Sequence, residues 1–281
     1  MESDYLEVFI KNAIIEDIGD GDHTSLACIT ENTSGKARLL IKEEGILAGV
    51  SIAEMVFRKF NTDIHFEQLL TDGLRIKPGD IAFTVEGNAR ALLKSERLVL
   101  NIMQRMSGIA TQTNKYINEI SGFKAKLLDT RKTTPGMRML EKAAVKIGGG
   151  ENHRIGLFDM ILIKDNHTDF AGGISKAIAR TTEYNKKIKN KLKVEIEAKN
   201  VSDIKEILRL GNIDRIMLDN FSIKDTKEAV KMIKGKYEVE SSGNITLKNI
   251  RAYAQCGVDY ISVGDITHNI KSLDMSLKAY T

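Results

Sequence analysis

The sequence predicts an α/β chain, with a small α+β unit followed by repeated βα units that close into a barrel or form an open doubly wound sheet. Two observations carry this reading. Beyond residue 124, short apolar runs recur, each ending in polar or charged residues, with helical patterns between the later ones. The last four runs begin about 22 residues apart, the length of one strand, one helix and two loops.

Residues 4–18 place Leu6, Phe9, Ile10, Ala13 and Ile14 on one face of a helix that Gly19 stops. Gly19-Asp20-Gly21-Asp22 is a turn; lacking a preceding strand and a third glycine, it is no dinucleotide fingerprint. Strands are predicted over 36–42 and 46–50, then a helix over 51–60. Strands over 74–76 and 81–85 flank Lys77-Pro78-Gly79-Asp80, where proline presets φ and glycine takes the position it tolerates best. A long helix over 89–118 carries Leu92, Leu93, Val99, Leu100 and Met103, and Gly108 predicts an interruption in it. The barrel-type strands are predicted at 125–129, 160–164, 194–197, 216–219, 237–240 and 260–263. Helices over 139–147, 202–210, 224–234 and 247–256 lie among them.

The composition of the 281 residues excludes several classes: 42% are hydrophobic, 28% charged, and the net charge is only +4. Basic residues are spread among nearly as many acids, so there is no nucleic-acid stripe. The densest basic stretch, 186–191, reads as a solvated turn. Two cysteines, Cys28 and Cys256, fit neither a metal-ligand spacing nor a disulfide framework. No apolar run reaches bilayer length. The start, Met-Glu-Ser-Asp, lacks a signal peptide's basic and apolar regions, and a reducing cytoplasm is the expectation.

In a barrel, functional residues stand at the C-terminal ends of the strands. Here those ends read Asp129, Lys164-Asp165, Glu195 with Glu197, Asp219-Asn220, Glu240 to Gly243, and Gly264-Asp265. The loop 129–138 interleaves hydroxyls with Arg131, Lys132 and Arg138, a set suited to oxyanions or simply to solvent. Gly148-Gly149-Gly150 delivers His153 and Arg154; one glycine could cap a helix, but three imply close backbone approach. Lys164 could form a Schiff base, pair with an anion, or reach solvent. Glu195 and Glu197 share one strand face, and Asp219 ends the next strand. Carboxylates so placed suit Mg²⁺ held jointly with substrate phosphates, or serve as charge partners for Arg131 or Lys164. The small residues Ser242, Gly243 and Gly264 suit a phosphate site. Together they suggest a multiply anionic substrate with phosphate at one end.

These residues resemble the quinolinate phosphoribosyltransferase family. The matching segments are EDIGDGDHTS (16–25), NIMQRMSGIAT (101–111), TRKTTPGMR (130–138), GGGENHRIGLFDMILIKDNH (148–167), VEIE (194–197), MLDNF (217–221), ESSGNI (240–245) and YISVGDITH (260–268). The resemblance implies an N-terminal α+β open sandwich over 1–110 and an incomplete, roughly seven-stranded α/β barrel over 111–268. A C-terminal helix over 269–281 would pack back on the N-terminal domain. It further implies transfer of phosphoribosyl from 5-phosphoribosyl 1-pyrophosphate to quinolinate with decarboxylation, in a homodimer or larger assembly. Arg105 would complete a neighbour's site; Arg131, His153, Arg154 and Lys164 would bind the two carboxylates. Lys132 would contact the phosphoribosyl donor, Glu197 and Asp219 would serve the ribose hydroxyls and Mg²⁺, and Ser242, Gly243 and Gly264 would hold the 5′-phosphate. His268 falls in the last motif and joins the substrate-binding set. Two other readings compete: a molybdate-transport-linked paralogue of the same scaffold, and a Schiff-base aldolase using Lys164.

Overall fold

In the computed structural model, which describes residues 2–280, the chain divides into two units. The first contains the residues up to Asn114, Thr133–Gly149 and the stretch from Ile266; the second contains Lys115–Lys132 and Gly150–Asp265. Among the described residues no helix is long and apolar enough to cross a membrane.

The first unit opens with α1 (Glu2–Ile18) and α2 (His23–Cys28), whose first turn is capped by the Asp22 carboxylate accepting from the Ser25 amide. Then come β1 (Ser34–Ile41), β2 (Gly45–Ile46), α3 (Val50–Phe60), β3 (His65–Gln68), β4 (Arg75–Ile76), β5 (Ile81–Asn88) and α4 (Ala89–Glu119). After α5 (Arg138–Ile147), the chain returns with β12 (Met275–Tyr280). The strands form an antiparallel sheet in the order β12-β1-β5-β3, and β2 pairs β4 separately. Ala37, Leu39 and Ile41 alternate along β1 into the core, and Phe57, Phe66 and Phe83 cluster with ring centroids 4.6–6.2 Å apart. Each fully buried side chain of this size contributes about 1.5–3 kcal/mol.

Three expectations need correction here. The C-terminal segment is a strand, not a helix: Met275 and Leu277 alternate into the core and β12 adds to the edge of β1. It does return to the N-terminal sheet. Gly108 does not interrupt α4, which runs unbroken for 31 residues. A Cβ there would collide with the Lys271 carbonyl, so glycine serves a close approach of backbones. Residues 133–149 cluster with the first unit rather than with the barrel, because α5 carries the buried Glu141 that pairs with Arg105 of α4.

The second unit is a parallel sheet with helices between its strands. Its elements are β6 (Lys126–Leu128), β7 (Ile161–Ile163), α6 (Asp165–Ala171), α7 (Ile174–Lys187), β8 (Val194–Ala198), α8 (Val201–Leu210), β9 (Arg215–Asp219), α9 (Ile223–Ile233), β10 (Glu238–Ser242), α10 (Ile250–Gln255) and β11 (Tyr260–Ser262). The short α11 (Asp265–His268) follows. The strand order is β6-β11-β10-β9-β8-β7, with every pair parallel. Glu151 adds one parallel bridge to Leu128, on the side of β6 away from β11. That bridge is the rudiment of a seventh strand, and the barrel is open between it and β7. Ile196, Ile216 and Leu218 are fully buried on the sheet face opposite the charged residues. Asn200 and Ser222 cap α8 and α9 by accepting from the Asp203 and Asp225 amides, each cap being worth about 1 kcal/mol.

Candidate active site

Period two along β8 sends Glu195 and Glu197 to one face. The same period aligns Arg215 with Asp219 on β9 and Glu240 with Ser242 on β10. Glu195 and Glu240 are fully buried, and a buried carboxylate survives only if paired. Their partners come from two directions. His153 Nε2 stands 2.9 Å from Glu195 Oε2 and 3.5 Å from Glu240 Oε2. Arg215 Nη1 donates to the same Glu240 oxygen at 3.0 Å.

Two buried carboxylates thus face one imidazolium and one guanidinium, the guanidinium being shared with the half-exposed Glu238. Burial would push His153 down, but its bonds and charge interactions with Glu195 and Glu240 prevail and raise it to about 9. The ring's Nδ1 lies 2.7 Å from the Arg154 amide, a contact that alone would favour neutral imidazole. That contact joins adjacent residues, and the close approach of Nε2 to two buried carboxylates outweighs it. Burial and then the Glu240 charge raise Glu195 to about 7, against the pull of His153 and Arg215. Glu240 is held below the usual carboxylate range, its burial overcome by His153, Ser262 and Arg215. His153, Glu195 and Glu240 are spaced closely enough to gather a metal ion. Arg215 already provides the second positive charge there, so a further cation would have to displace one.

The residues around His153 are held by the ends of strands. The His153 amide donates at 2.9 Å to Asp129, the buried residue just past β6. The Ile155 and Gly156 amides donate to the Asp159 carboxylate at 2.7 and 2.8 Å. Arg154 is almost buried and donates to the Met160 carbonyl at 3.3 Å. Burial, and after it the neighbouring charge of Arg131, pulls Arg154 below its ordinary range. Two guanidiniums that repel each other at the mouth of a barrel call for an anion. Arg131 and Lys132 are exposed on the loop after β6, where the Lys132 amide donates to Thr130 Oγ1 at 3.0 Å.

Lys164, just past β7, is half-exposed and lies 3.4 Å from Glu197 Oε2. Burial raises Glu197 above its usual range, Lys164 lowers it, and the charge of Asp219 raises it again. The Asp219 carboxylate accepts from Asn220 Nδ2 at 2.9 Å, and Asn220 Oδ1 accepts from Asn244 Nδ2 at 3.0 Å. Asn220, Gly243 and Asn244 all have left-handed backbones, with φ of +56°, +89° and +51°. A Cβ at Gly243 would collide with the Asn220 side chain and lie 3.0 Å from its amide nitrogen. Ser242 Oγ accepts from Ser262 Oγ at 3.0 Å, and Gly264 follows β11. Turns of this kind present backbone amides to an anion.

Two of the sequence-predicted residues belong to the first unit. Arg105 pairs with buried Glu141, its Nε donating at 2.8 Å, and also donates to Thr134 Oγ1 at 2.7 Å and the Thr267 carbonyl at 3.3 Å. His268 ends α11 and is exposed. The second unit therefore joins Lys164 to Glu197, Glu197 to Asp219, and Arg131 to Arg154. The sequence reading missed Arg215, and it did not see that Glu195 and Glu240 serve His153. A signal existed: Arg215, Met217 and Asp219 share the period-two face of one strand.

Residues 22–107 match the model of the quinolinate phosphoribosyl transferase N-terminal domain, and residues 109–278 that of the C-terminal domain. The chain belongs to the quinolinate phosphoribosyltransferase family. Among its relatives is tobacco quinolinate phosphoribosyltransferase [decarboxylating] 1b, 42% identical over 98% of this chain and 83% of the relative. The Arabidopsis thaliana protein named nicotinate-nucleotide pyrophosphorylase [carboxylating], chloroplastic, is also 42% identical, over 98% of this chain and 83% of its own length. The solved nicotinate-nucleotide pyrophosphorylase of Francisella tularensis superposes with a TM-score of 0.91 at 41% identity, covering 99% of this chain and 96% of that one. That of Ehrlichia chaffeensis gives 0.91 at 39% identity, covering 98% of each chain. These quinolinate phosphoribosyltransferase relatives bear out the fold, an α+β sheet unit before an incomplete α/β barrel. The matches support neither the molybdate-linked nor the aldolase reading.

Proposed function

We infer that this enzyme transfers the phosphoribosyl group of 5-phosphoribosyl 1-pyrophosphate to quinolinate with decarboxylation, giving nicotinate mononucleotide, pyrophosphate and CO₂. Family membership fixes the reaction class, and one observation carries the site reading: Arg154 is nearly buried just after the triple glycine, depressed first by that burial and then by the adjacent charge of Arg131. A dicarboxylate relieves that repulsion. Arg131, Arg154, Lys164 and the imidazolium of His153 present positive charge to the two carboxylates, with His268 in the same substrate-binding set. Lys132 meets the phosphoribosyl donor. The amides around Ser242, Gly243 and Gly264 take the 5′-phosphate.

The chemistry follows from these charges. The ring nitrogen of quinolinate attacks C1 of the ribose, and the C1–O bond electrons leave with pyrophosphate. Glu197 and Asp219 face the ribosyl carbon as it gains positive charge, and they hold the ribose hydroxyls. The alkylated ring is a pyridinium. Its adjacent carboxylate leaves as CO₂, the bonding electrons remain on the ring carbon beside N⁺, and that carbon is then protonated. Glu197, raised by burial and further by the charge of Asp219, and Asp219 itself are hard oxygen donors, and they are the residues that fit Mg²⁺. The ion would supply positive charge for the departing pyrophosphate.

We place the enzyme in the cytoplasm as a homodimer or larger homo-oligomer in which Arg105 completes the neighbouring site. The two free cysteines, Cys28 and Cys256, favour a reducing compartment. The deciding assay supplies 5-phosphoribosyl 1-pyrophosphate, Mg²⁺ and either quinolinate or nicotinate, and follows CO₂ and nicotinate mononucleotide. Product and CO₂ from quinolinate are expected. Product from nicotinate alone would overturn the substrate assignment.

A further inference from the structure

Arg215 lies at the opposite end of β9 from Asp219. Its guanidinium packs over the Tyr260 ring, 3.9 Å from the centroid, and donates from Nε and Nη2 to Glu238 at 3.3 and 3.2 Å. Tyr260 donates its hydroxyl to the other Glu238 oxygen at 3.2 Å. The remaining arm, Nη1, reaches up to Glu240 Oε2, the oxygen that stands 3.5 Å from His153 Nε2. One carboxylate oxygen is therefore shared by two buried cations, His153 and Arg215. The partners of Arg215 described above, Glu238, Glu240 and Tyr260, are not among the residues assigned to either substrate.

We propose that Arg215 is a positioning residue for quinolinate, acting through Glu240 on His153. The argument is one of charge and place. Glu195 and Glu240 bring two negative charges to the floor below His153, which can match only one of them. Arg215 matches the other, and its own position is fixed by Glu238 and Tyr260. Without it, the floor beneath a dianion's site either carries an uncompensated negative charge or takes up a proton that loosens the hold on His153. Both outcomes weaken quinolinate binding and leave the phosphoribosyl donor, bound at other strand ends, largely unaffected.

The proposal rests on His153 being a quinolinate contact, and the test separates the two ideas. Steady-state KM for each substrate and kcat are measured for the wild type, H153A, R215M, R215K, E240Q and the double variant R215M/E240Q. Truncating one partner of a buried charge pair is a large effect, so R215M is expected to raise the quinolinate KM by about tenfold or more while the donor's KM changes by less than about threefold. R215K keeps the charge and should recover most of the loss. R215M/E240Q removes one charge of each sign and should bind quinolinate better than R215M does, the sign of a direct coupling. If H153A leaves the quinolinate KM unchanged, the reading of the site fails. If H153A raises it while R215M and R215K do not, the role of Arg215 fails. Equal rises for both substrates, or a double variant no better than R215M, also overturn it. If R215M does not fold, R215K and E240Q decide: a quinolinate KM in both equal to that of the wild type refutes the proposal.

Discussion

His153 shows how a single residue can tie substrate recognition to stability. It is held near a pKa of about 9 by Glu195 and Glu240, while in the unfolded chain it titrates at about 6.5. Between those values the native state binds more protons than the unfolded state, so stability falls as pH rises. The contribution is complete below about pH 6.5 and is lost as pH rises through about 9. Its size is on the order of 3 kcal/mol. Urea midpoints measured from pH 6 to 9.5 should decline in the wild type and decline much less in H153Q; parallel curves would refute the charged state. The stretch GGGENHR made His153 and Arg154 legible in the sequence, because three glycines followed by two cationic side chains are hard to explain as a cap. Arg215 was not legible by the same logic. Strand ends were searched for chemistry, and it stands at a strand beginning, where a charge ordinarily meets solvent.

At the scale of elements, the turn after β10 depends on a residue without a side chain. Gly243→Ala introduces a Cβ at φ +89° that collides with Asn220, the residue whose amide holds Asp219. Strain of this kind costs about 1–3 kcal/mol. The variant should lose a few degrees of Tm and show a KM for the phosphoribosyl donor raised by about tenfold, with a smaller change for quinolinate. Unchanged donor kinetics would detach this turn from the phosphate. Elements with long, regular patterns were readable in advance: the βα rhythm of the second unit and the alternation in β1 are plain in the residues. Two misreadings each have a tertiary cause. Gly108 was read by helix propensity, a preference of only about 1 kcal/mol, which the passage of Lys271 beside α4 overrides. The last residues were read as helical because six residues are too few to separate period two from period 3.6, and pairing with β1 decides between them.

On the scale of the whole chain, the two units interleave in sequence, and no single cut point separates them. Cut points at 110 and 268, implied by the family resemblance, assign Thr133–Gly149 to the barrel, because nothing local reveals that Glu141 is the partner of Arg105. The assembly prediction belongs here. If Arg105 completes a neighbouring site, R105A and R131A proteins, each weak alone, should regain activity when mixed and allowed to exchange subunits. Mixed dimers then hold one site that carries both lesions and one that carries neither. Activity no greater than the sum of the separate proteins would show that each chain completes its own site.

Glu151 makes only one bridge to Leu128, and β7 ends the sheet, so the barrel wall has a seam there. The seam works as an expansion joint. His153 and Arg154 lie between its two lips, tied there by the Asp129 and Asp159 carboxylates rather than by a ladder of backbone hydrogen bonds, whereas Glu197 and Asp219 sit on strands paired on both sides. On the proposed site, two of the carboxylate contacts therefore lie on a segment outside the sheet ladder and the ribose-facing acids on strands within it. Amide hydrogen exchange should be faster across 152–160 than in β8 and β9, and quinolinate should slow it.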